Sequence, residues 1–174
     1  DYYYEAVLWA VSQGITLGTD DAHFSPDADC ARGQLVTFLW RAAGKPKAEQ
    51  AALFSDVGAD AYYAEAVRWA AALGIVTGYS DGCFGAGDPI TRQQMAVMLY
   101  RYAQYKGYDT TQGGMAIREF ADYDQIAGYA AEAMTWAVEA GVLTATSLDT
   151  LAPGQAATRV QTAQALLALS QFTK

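Results

Sequence analysis

The sequence runs to 174 residues, 52% apolar and 17% charged, the composition of a folded domain with a sizeable core, which excludes a disordered tract. Eleven basic against nineteen acidic residues leave a net charge of -8, which repels nucleic acid and anionic lipid over most of the surface. No window approaches eighteen consecutive apolar residues, and the opening DYYYEAVLWA lacks the basic start of a signal peptide, so no segment is expected to enter a membrane. An export signal would have been removed or would belong to a longer precursor.

In chain order, the first predicted helix is AVLWAVSQG, closed by Gly14, and a turn rich in Gly and Asp follows Ile15. A second helix, ARGQLVTFLWRAAG, comes after a loop. The series then restarts with Phe54-Ser55-Asp56 and the helix YYAEAVRWAAALG, whose Ala66, Val67, Ala70 and Ala71 share one stripe. The turn GYSDGCF leads to ITRQQMAVMLYRYAQ, with Met95, Met98, Leu99 and Tyr102 at i, i+3, i+4 and i+7. YKGYDTTQGG reads as a surface loop insertion, and a third series runs from Phe120-Ala121-Asp122 through AEAMTWAVEAG to TRVQTAQALLALSQF.

These series are copies of one unit. Setting Trp9, Trp69 and Trp136 in register gives offsets of 60 and 67, which also align Glu5 with Glu65 and Glu132, Gly14 with Gly74 and Gly141, and Arg32 with Arg92 and Arg159. Four residue types matching at one pair of offsets mark an internal repeat. The expected organisation is a single domain, 1–174, of three helix-loop-helix repeats at 1–53, 54–119 and 120–174, the first without its Phe-x-Asp. Units of this size cannot bury their apolar faces alone, so the three are expected to share one core.

Chemistry enters at the start of the second helix. Thr91-x-x-Gln94 and Thr158-x-x-Gln161 fit the capping box, whereas the first repeat has Ala31 in place of the threonine. Arg92, Arg159 and Arg32 fall in the first turn, where the helix dipole disfavours a cation by about 0.3–1 kcal/mol. A guanidinium placed there three times suits an anionic ligand bound at the exposed N–H groups. It equally suits structural pairs with Glu5, Glu65 and Glu132, or with Asp56 and Asp122, and the residues alone do not choose.

The combination FSDVGADAYYAEAVRWAAALGIVTGYSDGCF followed by ITRQQMAVMLYR resembles the S-layer homology domain, which stands as three tandem copies in bacterial surface proteins. The resemblance covers the whole chain. It implies an all-α fold in which three helix-loop-helix repeats form one pseudo-three-fold domain with grooves between repeats. It implies non-covalent anchoring of a secreted protein at the cell wall, the grooves taking secondary cell-wall polysaccharide, often ended by an acidic pyruvylated sugar. The module is expected to be monomeric, fused to another domain in the full-length protein, and without catalytic residues, metal or cofactor. Arg32, Arg92 and Arg159 are the expected ligand arginines, with Trp9, Trp69 and Trp136 as stacking candidates and Asp56, Asp122 and Gly82 completing the set. On this reading Arg92→Ala weakens binding about tenfold to a hundredfold and leaves folding almost untouched.

The third repeat departs from the pattern. Gly78 and Phe84 become Ala145 and Leu151, and the arginine at 41 and 101 becomes Ala168, so the second repeat's site ranks first and the third groove is expected to be the weakest. Two rival classes are a wall-glycan hydrolase and a protein–protein interaction module of a surface-layer assembly. The first would need a poised acid–base pair, and Asp20, Asp21 and Asp81 sit in turns where Asp serves the backbone. His23 has no second histidine with which to share a metal or a triad. The second class would use Tyr2, Tyr3, Tyr62 and Tyr63 as contact residues. Cys30 and Cys83 lie at non-equivalent positions, and the sequence leaves both a disulfide and two free thiols open.

Overall fold

The structure, a computed structural model, describes residues 2–20, 22–48 and 54–172. Among these residues there are six α-helices: α1 (Tyr2–Ser12), α2 (Arg32–Ala42), α3 (Ala64–Ala72), α4 (Arg92–Lys106), α5 (Ala131–Glu139) and α6 (Arg159–Ser170). Three 3₁₀ turns, Ala116–Glu119, Tyr123–Gln125 and Gly128–Ala130, separate α4 from α5. The fold is all-α, and no described helix is long and apolar enough to cross a membrane.

Local chemistry sets the helix ends. Thr91 Oγ1 accepts from the Gln94 N–H at 3.2 Å while Gln94 Oε1 accepts from the Thr91 N–H at 3.1 Å, and Thr158 with Gln161 repeats the exchange. At α2 only half of it survives: Gln34 Oε1 takes the Ala31 N–H at 3.0 Å, but a methyl group offers nothing in return. α2 stops at Ala42, because Gly44 is left-handed at φ +87° and Pro46 follows. α4 has Gln104 and Lys106 at the matching positions and runs on to Gly107, so part of the expected loop insertion is an extra helical turn.

The repeats close into a ring. The first helix of each repeat packs on the second helix of the repeat before it, as α3 on α2, α5 on α4 and α1 on α6. Just before the second helices, three backbone hydrogen bonds run round the axis. The Cys30 N–H donates to the Ala157 carbonyl (2.8 Å), Ala157 to Ile90 (2.8 Å) and Ile90 to Cys30 (2.9 Å). Each of these residues lies at the repeat offset and is buried, so the three loop ends satisfy one another where water is excluded. Below this ring the second helices contribute the core: Leu35, Met95 and Thr162 in one set of equivalents, Leu39, Leu99 and Leu166 in the next, all 3% exposed or less. Each apolar member contributes about 1.5–3 kcal/mol relative to exposure.

Candidate functional site

The ring places every second-helix arginine inside the next repeat. Arg32 Nε donates to the Phe84 carbonyl (2.9 Å), Arg92 Nε to the Leu151 carbonyl (2.7 Å) and Arg159 Nε to the Phe24 carbonyl (2.8 Å). All three side chains are buried, and burial lowers their pKa values. Among the described residues none of the alternative carboxylates forms an ion pair with these arginines: Glu65 pairs with Arg68, and Glu132 accepts from the Tyr100 hydroxyl.

Asp56 and Asp122 act on the same peptides as the arginines but from the other side. Asp56 accepts from the N–H groups of Phe84 and Gly85 (both 2.7 Å), and Asp122 accepts from those of Leu151 and Ala152. Residue 84, like residue 151, is therefore held at its N–H by its own repeat's aspartate and at its carbonyl by the preceding repeat's arginine. The two N–H bonds hold the Asp56 carboxyl below its usual range. These aspartates fix the loop that carries residue 84 or 151.

The helix starts are not open anion sites, contrary to the sequence expectation. The first two N–H groups of α4, from Arg92 and Gln93, donate to the carbonyls of Gln155 and Pro153 (both 2.9 Å). The equivalent groups of α2 bond Asp88 and Ala86, and those of α6 bond Ala28 and Pro26. The next repeat's loop carbonyls already occupy the positive end of each dipole.

What stays open lies beside the arginines. One inter-repeat groove, about 310 Å³, has Arg32 from repeat one, Thr77, Tyr79, Gln94 and Arg101 from repeat two and Tyr129 from repeat three among its walls. Arg32 lies over the Tyr79 and Phe84 rings, 4.6 and 4.9 Å from their centroids. The Tyr79 hydroxyl donates to Asp88 at 2.9 Å, and burial together with that bond raises its pKa. An equivalent groove of about 340 Å³ joins Arg159 of repeat three, Leu17, Gln34 and Arg41 of repeat one and Tyr62 of repeat two. Arg92 belongs to a third opening of about 60 Å³, between Val142–Thr144 and α6. The second repeat's loop thus takes its arginine from the first repeat, and Arg92 serves the third.

Other expected residues fall elsewhere. Trp69 and Trp136 are 3% and 1% exposed and meet Tyr102, Tyr105 and Tyr100 edge-on, so both pack into the core, Trp136 at the edge of an opening of about 420 Å³ between repeats two and three. Trp9 is half-buried and lines a separate cavity of about 350 Å³ with Arg41 and Lys106. Gly82 turns the 79–83 loop at φ +81° and its carbonyl accepts from the Ser55 N–H at 3.3 Å; it does not line the groove. Gly78 does line it, and a Cβ there would stand 2.4 Å from the Phe54 ring.

His23 makes an exposed contact with Asp20 at 2.8 Å, and Cys30 and Cys83 are both free. Burial raises the Cys30 thiol to about 11. Asp21 and the side chain of Tyr2 lie outside the described residues. The grooves also take in residues left out of the expected ligand set: Arg101 and Arg41, whose loss in the third repeat already ranked the sites, Tyr62, the cap glutamines and Tyr129. The arginine pair was visible at the 60-residue offset, and the tyrosines at 67, but their side of the helix was not.

Comparison with known proteins places these repeats. An endoglucanase of Bacillus sp. (strain KSM-635) is 29% identical over 157 residues, 90% of this chain and 16% of its own length. A surface-layer 125 kDa protein of Lysinibacillus sphaericus is 30% identical over 142 residues, 82% of this chain and 12% of its own. Outer membrane protein SlpA of Thermus thermophilus is 45% identical over 53 residues, 30% of this chain and 6% of its own. The chain thus spans under a fifth of each of these relatives. The family model for the S-layer homology domain matches residues 1–36, 53–96 and 119–163, one segment per repeat, and the chain belongs to the S-layer homology domain family.

Proposed function

We propose that the chain anchors the protein that carries it to the bacterial cell wall, non-covalently, by taking acidic, pyruvate-bearing sugars of secondary cell-wall polysaccharide into the grooves between repeats. Members of this family sit at the cell surface, and this chain with them. The observation that carries the ligand class is the groove at Arg32. Two guanidiniums and two tyrosines from three repeats converge on one open cavity in a chain of net charge -8. Guanidinium recognises a planar carboxylate through paired N–H donors, and tyrosine gives a sugar ring an apolar face with a polar edge.

The non-catalytic reading follows from portability. A similar segment occupies 16% of a relative named as an endoglucanase and 12% of one named as a surface-layer protein, two names with no activity in common, which supports a role for the segment other than catalysis. The module is read as a monomer fused to further domains. Sedimentation with purified cell walls, before and after chemical removal of the wall polysaccharide, tests the reading. Retention only by untreated walls is expected, and equal retention by stripped walls would move the reading to a protein partner. Reducing-end assays on the same walls should detect no sugar release.

A further inference from the structure

We propose that only two of the three inter-repeat grooves take an acidic sugar, those at Arg32 with Arg101 and at Arg159 with Arg41, and that the third, at Arg92, is a permanent structural joint. This rests on the reading above and adds the stoichiometry and the residues that set it.

The first ground is space. Cavities that hold small ligands run to roughly 300–1,000 Å³. The grooves at Arg32 and Arg159, of about 310 and 340 Å³, meet that lower bound, and the opening at Arg92, about 60 Å³, falls far below it.

The second ground is how each arginine spends its donors. Among the described residues, Arg32 makes one hydrogen bond, from Nε to the Phe84 carbonyl, and its terminal nitrogens are left to the groove. Arg159 adds only a long contact, Nη2 to Thr16 Oγ1 at 3.4 Å. Arg92 adds a short one, Nη2 to the Thr144 carbonyl at 2.5 Å, which draws the third repeat's loop onto the guanidinium. The aromatic support follows the same division. Arg32 lies over Tyr79 and Phe84 and Arg159 over Phe24, but the matching residue beside Arg92 is Leu151.

The third ground is the second cation. Arg101 in α4 and Arg41 in the last turn of α2 line the two open grooves, each with Nη1 on a carbonyl of its own repeat, Ile75 (3.4 Å) or Ile15 (3.1 Å). Their equivalent in α6 is Ala168, so the third groove has one arginine, with Nε and Nη2 already on carbonyls of the third repeat, and no second arginine beside it. A carboxylate bound between two guanidiniums is compensated on both oxygens. One bound by Arg92 alone would have to displace the Thr144 carbonyl.

NMR titration of the 174-residue chain with a methyl hexopyranoside carrying a 4,6-pyruvate ketal tests this, with the 4,6-isopropylidene ketal as the uncharged probe of the same shape. Shifts are expected at Thr77 and Tyr129 and, separately, at Leu17 and Tyr62, with none at Leu143 or Gln164. Arg101→Ala should weaken the first groove at least tenfold and leave the second unchanged, and Arg41→Ala should do the reverse. Melting of both variants confirms that they are folded. Titration of Leu143 and Gln164 along with the others, or binding at a single groove, overturns the two-site assignment while leaving the anchoring function standing. So does an alanine variant that weakens neither groove. Absence of shifts at all three grooves, or equal response to the uncharged ketal, overturns the acidic-sugar reading itself.

Discussion

Arginine at the head of a helix reads from sequence as a ligand residue set in an unfavourable place. The structure gives Arg92 a structural occupation instead, since its side chain is 1% exposed and two carbonyls of the next repeat depend on it. Arg92→Ala strands both acceptors in the interior, so it should cost about 2–3 kcal/mol, read as a lower midpoint in denaturant melts, rather than leaving folding untouched. Arg32→Ala removes one such bond and should cost less, about 1–2 kcal/mol; if both variants melt like the parent chain, the carbonyl anchors contribute nothing. The Asp56 carboxyl, held below its usual range by the Phe84 and Gly85 N–H groups, carries a pH signature. Its folded pKa is depressed, so its contribution is present above about pH 4, the unfolded value, and is lost as pH falls through the lower folded one. Asp56→Ala should therefore flatten the acid side of the melting-temperature profile below about pH 4. An unchanged slope there would remove Asp56 from the account.

Among the helices, α2 departs from the cap chemistry of its equivalents. Ala31 cannot accept the N–H that Thr91 and Thr158 accept, yet Gln34 keeps its half of the exchange and the backbone holds the same extended conformation at φ -78°. The site is thus prearranged for a hydroxyl. Ala31→Thr should stabilise the chain by about 0.5–2 kcal/mol. Equilibrium unfolding of this single variant decides it, and no gain would mean that the loop from the second repeat already satisfies the α2 terminus. The third repeat's loop shows the opposite effect of small changes. Gly78 runs at φ +69° with no room for a Cβ, whereas Ala145 stands at the matching place and takes a negative φ, so the two turns cannot superpose.

For the molecule as a whole, closure is the decisive property. Each repeat's arginine, N-terminal N–H groups and second-helix face are satisfied by the next repeat, and α1 on α6 returns the third to the first. Removing one repeat would leave two others with open ends, so the chain is expected to unfold as one cooperative unit. A single calorimetric transition is expected, with calorimetric and van't Hoff enthalpies in agreement. Three resolved transitions would show that the repeats are stable alone.

The sequence by itself determined the repeat, its helices and their caps, because periodicity, Thr-x-x-Gln and helix-ending glycine act within a few residues of the chain. It also exposed the weak third copy through Ala145, Leu151 and Ala168. Only the tertiary structure decided which arginine serves which groove, since Arg32 and the Phe84 carbonyl are 52 residues apart and meet only when the ring closes. The same holds for burial. Three tryptophans at the repeat offsets look alike in sequence, but Trp69 and Trp136 are 3% and 1% exposed while Trp9 is only half-buried, because what covers a side chain comes from elsewhere in the chain. Anion binding at the helix starts failed for that reason as well: the donors are fixed locally, and the carbonyls that occupy them arrive from the neighbouring repeat.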